Sequence, residues 1–267
     1  MNSKTYLAFI LLTVTLSAFG QKELQNHDTK LADIVLVNAT GQRCEVAEII
    51  NLISKDHPKV IGINFLFIEE KDIKCDSNLL QAIDKSDKVV LIEGFENEKH
   101  VQSNEKFLAP SILSGLTGLS QNDNGIIDSY YRVIDHRSSW EYSFPFHLAL
   151  QYDSINDSQL AGKSTPKDYT ITFYHALNEF KVINGLEEIK KNQGVFKNKI
   201  VIIGSMGQAE DNVFPTPVTD KSTDKTFGTV IIANIVLDIL MDLDSKDIPI
   251  NKYTEFIYKQ QKAKKKN

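Results

Sequence analysis

Four apolar runs in this chain end in residues able to do chemistry. Asn38, Thr40 and Gly41 follow Ile34-Val35-Leu36-Val37. Asn64, and further on Glu69, Glu70 and Asp76, follow Val60-Ile61-Gly62-Ile63. Glu93 and Gly94 follow Val89–Ile92, and Gly204, Ser205, Gly207 and Asp211 follow Ile200–Ile203. Carboxylates and carboxamides in such places accept hydrogen bonds, hold a cation or work as acid and base; they also cap helices and close turns, as strand ends require. Enzyme templates are poorly served. Gly204-Ser205-Met206-Gly207 is like a phosphate-binding turn without the full glycine fingerprint or the P-loop lysine. There is no G-x-S-x-G elbow. The six His, at positions 27, 57, 100, 136, 147 and 175, form neither H-E-x-x-H nor an i, i+4 pair. No catalytic residue, metal site or cofactor is assigned. An acid–base pair drawn from Asp76, Glu93 and Asp211 leaves a small exported hydrolase as the lesser reading.

The elements that must position these residues follow from patterning. The chain has 267 residues, 42% hydrophobic and 24% charged, with 13 Gly and 7 Pro, which excludes collagen-like, low-complexity and wholly disordered classes. A net charge of −5 gives no sign of a nucleic-acid partner. Lys4, the apolar stretch Leu7–Leu16 and Ala18-Phe19-Gly20 read as a secretory signal peptide over 1–20, cleaved before Gln21, with an uncleaved membrane anchor as the second reading. Residues 21–32 are a polar leader.

The wholly apolar β-rich runs are strands buried on both faces. Val46, Ile49, Ile50 and Ile53 lie at helical spacing between the first two, and a second helix starting near Asp76 carries Leu79, Leu80 and Ile83. The result is β-α-β-α-β, the opening of an α/β domain: three layers, a mostly parallel central sheet, helices on both faces. Asn122-Asp123-Asn124-Gly125 is a turn, with Ile126–Ile134 behind it as one strand of a central β-hairpin insertion. A helix from Ser143, a strand over Tyr169–Tyr174 and an apolar helix over Val230–Met241 complete the domain, 33–243. Residues 244–267 are a tail, basic at its end. Cys44 and Cys75 are either two buried thiols or one disulfide. Both follow strands, on the rim where the sheet's carboxyl ends lie, and an exported chain meets an oxidising compartment, so a disulfide is expected.

Several pieces in order carry a family pattern: IVLVNA, KVIGINFLF, Asp76 with Leu79 and Ala82, VVLI, Ala109-Pro110, GLSQNDNGIIDSYYR with Gly118, Asp123, Gly125 and Arg132, NKIVIIGS, Asp211 with Pro215-Thr216-Pro217, Gly228, and Ala233-Asn234. In these the chain resembles the second type of CHASE domain, an extracellular sensory module associated with cyclases and histidine kinases. The resemblance implies a non-catalytic, exported sensor-type domain, periplasmic or secreted, that binds a small ligand or a cell-envelope protein at the rim. It implies a ligand set of Asp76, Arg132, Asp211, Thr216 and Asn234. The carboxylates would accept hydrogen bonds or hold a cation, and Arg132 would meet an anionic group; in a structural role, Asp211 would cap a loop and Asn234 would bond the P-T-P backbone. The family's Asp near the ends of the first two strands is here Asn38 and Asn64, which keep an acceptor oxygen and lose the charge. A structural or adaptor module with a decayed ligand site is the corresponding alternative. Family members continue into transmembrane helices and an output domain; this chain continues into the lysine tail, so signalling is expected to pass through a partner.

Overall fold

A computed structural model of the chain describes residues 30–86, 88–96, 99–108, 112–136, 139–153, 167–207, 212–219 and 225–244. The signal peptide, the leader up to residue 29, Ala109-Pro110, Asp211 and the tail from residue 245 lie outside the described residues.

The apolar runs form the centre of a seven-stranded sheet. β1 (Ile34–Asn38), β2 (Val60–Ile63), β3 (Val89–Glu96), β5 (Leu113–Leu116), β11 (Lys181–Asn184) and β12 (Ile200–Gly204) run parallel in the order β11-β1-β12-β2-β3-β5, and β4 (Lys99–Val101) pairs antiparallel with the far end of β3. Alternation along each strand sends side chains to opposite faces. Val35, Val37, Ile61, Ile63, Leu91, Val201 and Ile203 pack under α1 (Arg43–Ile53), α2 (Ile73–Lys85) and α4 (Gly185–Lys191). Ile34, Leu36, Val60, Val90, Ile92, Ile200 and Ile202 pack under α3 (Phe144–Asp153) and α5 (Gly228–Asp244). This is the three-layer, mostly parallel α/β arrangement. Gly62 faces α3 because a Cβ there would come within 2.9 Å of Leu148 and Phe144, so the helix rests on bare backbone.

Three expectations need correction. α2 begins at Ile73, not near Asp76: the Asp72 carboxylate caps it, accepting from the Cys75 amide at 2.8 Å, and Asp76 lies inside its first turn. The stretch Ile126–Ile134 is two strands, β7 (Ile127–Tyr131) and β8 (Val133–His136), broken at Arg132. β7 joins β6 (Leu119–Gln121) and β10 (Asp168–Thr170) in an antiparallel sheet, while β8 pairs with β9 (Ser139–Tyr142). The strand expected over Tyr169–Tyr174 ends at Thr170, because the next segment turns onto α5 instead of continuing along β7. A two-stranded ladder of β13 (Val213–Phe214) and β14 (Thr226–Phe227) leads into α5.

Candidate functional site

β1, β2, β11 and β12 end side by side, and their register fixes what stands on the rim. Asn38 is level with Asn184 on one side and Gly204 on the other, and Asn64 follows Ile63, the partner of Ile203. Asn184, Asn38, Gly204 and Asn64 therefore form a row across four adjacent strands. Neighbouring strands lie about 4.8 Å apart, so Asn38 and Asn64 flank the glycine at about 10 Å from each other. By strand parity these positions share the face of α3 and α5. The α5 N-terminus closes the row from behind: a Cβ on Gly204 would fall on Thr229 Oγ1, which also accepts from Asn64 Nδ2 at 3.1 Å.

Each carboxamide is half used. Asn38 Oδ1 accepts from the Met206 amide at 2.8 Å, and its Nδ2 donates to Asn184 Oδ1 at 3.2 Å. Asn212 Nδ2 donates to the Ser205 carbonyl at 3.3 Å, so the turn after β12 is held against the row. A carboxamide has two donors and one acceptor oxygen with two lone pairs, so the row keeps capacity of both kinds at solvent. Its partly exposed Asn38 and Asn64 and exposed Asn184 are uncharged, which suits hydroxyl, amide or backbone groups.

The residues expected as one ligand set occupy four places. Asn38 and Asn64 are in the row. Thr216 is close by, in the loop before α5, but its hydroxyl is 2.9 Å from Thr226 Oγ1 and its amide donates to Thr219 Oγ1 at 3.1 Å, a loop-closing pattern. Asp211 is outside the described residues. Asp76 is on the opposite face of the sheet, in the first turn of α2 where it meets α1. There it is paired with the buried Arg43 and with Lys106 at 2.6 Å, and accepts from the Lys71 amide at 3.2 Å. Arg43 also donates to the Glu69 carbonyl and lies over the Phe67 and Phe107 rings. Burial pushes the Asp76 carboxyl up, and the bonds from Lys106, Arg43 and Lys71 outweigh that and hold it at about 2. Cys44 and Cys75, next in sequence to Arg43 and Asp76, form a disulfide with Cα atoms 4.6 Å apart.

Asn234 is fully buried and spent on one backbone unit. It accepts from the His175 amide and donates to the His175 carbonyl, both at 3.0 Å, and donates to the Val230 carbonyl. The expected bond to the P-T-P backbone is replaced by this clamp; the Pro215 carbonyl accepts from the Ile127 amide instead. Arg132 is at the other end of the molecule. It pairs with Asp242 of α5 at 2.6 Å, fourteen residues beyond Gly228, or about 21 Å along the axis at 1.5 Å per residue. An anionic group at the rim is therefore out of its reach.

Sequence reasoning missed Asn184 and Thr229. Asn184 ends the short run Val182-Ile183 as Asn38 ends β1, which is a readable signal; Thr229 has none, because its role depends on how α5 docks. It also missed the pair of Glu93, midway along β3, with His100, 2.6 Å apart. Beneath the rim, His147 is half-buried. Burial lowers its imidazole to about 4 against the raising effects of the Glu93 charge and a hydrogen bond to Ser114.

A parallel α/β sheet with a polar, partly solvated carboxyl rim is the architecture in which such folds receive ligands. A model of the CHASE2 domain matches residues 8–257, and the chain belongs to this family of extracellular sensory domains. No curated protein and no solved structure matches it. Among the described residues no helix is long and apolar enough to cross a membrane.

Proposed function

We propose that this domain is an exported, non-catalytic sensor that receives a small ligand or a cell-envelope protein on the carboxamide row Asn184–Asn38–Gly204–Asn64. The row itself carries the reading: hydrogen-bonding capacity is gathered at four strand ends, next to the N-terminus of a helix that runs the length of the domain. A ligand bridging Asn64 and Thr229 would couple β2 to α5, and it shifts the domain's state only by its differential affinity for the two arrangements. The disulfide suits an oxidising compartment, in keeping with an export signal at the N-terminus.

Thermal unfolding of the full chain against metal ions, nucleotides, sugars and amino acids tests this, because a native-state ligand stabilises by mass action. The expected result is a rise in melting temperature for one ligand class, absent in Asn64→Ala although that variant folds. The same rise in Asn64→Ala, or none from any ligand or envelope extract fraction, overturns the reading in favour of a structural module.

A further inference from the structure

The rim end of α5 belongs to the proposed site; the far end carries a different device. Arg132 is buried at the break between β7 and β8, with 2% of its surface exposed. Its guanidinium lies 4.0 Å over the Tyr169 ring of β10 and donates to Tyr130 Oη at 3.3 Å and to Asp242. Its Nε has no acceptor among the described residues. One turn before Asp242, Asp238 accepts from the Thr172 amide at 2.8 Å. Residues at i and i+4 share a helix face, so two carboxylates lie beside one guanidinium, Asp242 bonded to it and Asp238 acting on it through charge alone.

We propose that Asp238 and Asp242, one turn apart beside buried Arg132, form a proton-responsive latch: when Asp238 takes up a proton, the cost of holding its charge away from water is removed together with its repulsion from Asp242, and the β6–β7–β10 sheet holds the C-terminal half of α5 more tightly. The first proton goes to Asp238, since Asp242 keeps 43% of its side chain in solvent and the direct bond to Arg132. The protonated carboxyl still accepts from Thr172 through its carbonyl oxygen. Among the described residues the charged and titratable groups acting on Asp238 are Asp242 on α5, and Arg132 and Tyr130 from β7 and its end; Tyr169 of β10, over which Lys167 also lies, stacks under the same Arg132 guanidinium. Tyr130 is pushed by burial to about 12 and stays neutral. Burial raises the Asp238 carboxyl to about 6, helped by the Asp242 charge and opposed by the bonds from Thr172 and by Arg132.

The sign follows from linkage. The folded state binds more protons than the unfolded chain, so ionised Asp238 costs stability above about pH 6, and that cost disappears as pH falls toward 3.8. His147 acts oppositely in part of this window, since an imidazole that the fold keeps neutral costs stability as pH falls from 6.5 toward 4. The test is therefore a difference. Melting of the full chain and of Asp238→Asn is followed from pH 7.5 to pH 5, where the His147 contribution is common to both. Asp238→Asn is expected to melt several degrees above the wild type at the alkaline end, the gap closing on acidification. Parallel profiles overturn the latch. The unsubstituted protein supplies a second reading that needs no folded variant: the Asp238 carboxyl carbon titrates in NMR near pH 6, and a midpoint near 4 overturns the proposal. Amide exchange of Thr172 and of the last two turns of α5, corrected for intrinsic rates, is expected to slow on acidification; equal protection at both ends overturns the tightening.

Discussion

Asp76 keeps its charge inside the protein because three donors converge on it, and its value depends on Arg43, which has no other charged partner among its described contacts. Asp76→Asn leaves that guanidinium buried against a backbone carbonyl and two phenyl rings. Removing one partner of a buried pair costs about 3–5 kcal/mol, whereas replacing both by apolar side chains costs much less. Urea unfolding at neutral pH is expected to show the large loss for Asp76→Asn and a smaller one for Arg43→Met combined with Asp76→Leu. A single variant within experimental error of the wild type would show that the pair does not hold the α1–α2 face. None of this was legible from the residue's neighbours: Arg43 and Lys106 lie 33 and 30 positions away. Asp76 was singled out as a ligand residue by its place behind a strand and by the family resemblance. What the strand end could not reveal is that the carboxylate turns inward, which depends on how α1 and α2 dock.

Helices α1 and α2 are joined covalently as well as by packing. The disulfide closes a loop of 31 residues containing the rest of α1, β2 and the start of α2. Chain-entropy arithmetic gives about 3–4 kcal/mol for a loop of that length. Guanidinium unfolding with and without reductant is expected to show an unfolding free energy lowered by that amount, with a lower midpoint and a steeper denaturant dependence, since the reduced unfolded chain exposes more surface. An unchanged midpoint would mean that α1 and α2 are held by packing alone. The four central strands were legible because a strand buried on both faces must be apolar throughout. So was α5, whose length is nearly all apolar and buried. β11 and α4 were not, since edge strands are short and mixed and a seven-residue helix has little periodicity. The start of α2 was misplaced because two aspartates compete as caps four residues apart, and only the geometry of the Cys75 amide decides between them.

Across the whole molecule the two apolar layers are unequal in what they attach. Strands β1, β12 and β2 have neighbours on both sides and helices on both faces, so their amides open only with the entire fold. Native-state hydrogen exchange is expected to place the slowest amides there, with β6, β7 and β10 exchanging through a smaller opening. Equal protection of that small sheet would show a single cooperative unit. At this scale the sequence predicted the rim but not its division. Topology puts all strand ends together, yet which face each residue serves depends on register, and Arg132 was placed at the rim because nothing local reveals that α5 runs back along the strands. That antiparallel course has a mechanical corollary. β1 begins and α5 finishes at the end of the domain opposite the carboxamide row, where Lys199 meets Asp33 and Arg132 meets Asp242. Tethered through either flank, the domain would stand on that end like a post, with the carboxamides facing outward about 25 Å above the point of attachment, the length of a 17-residue helix.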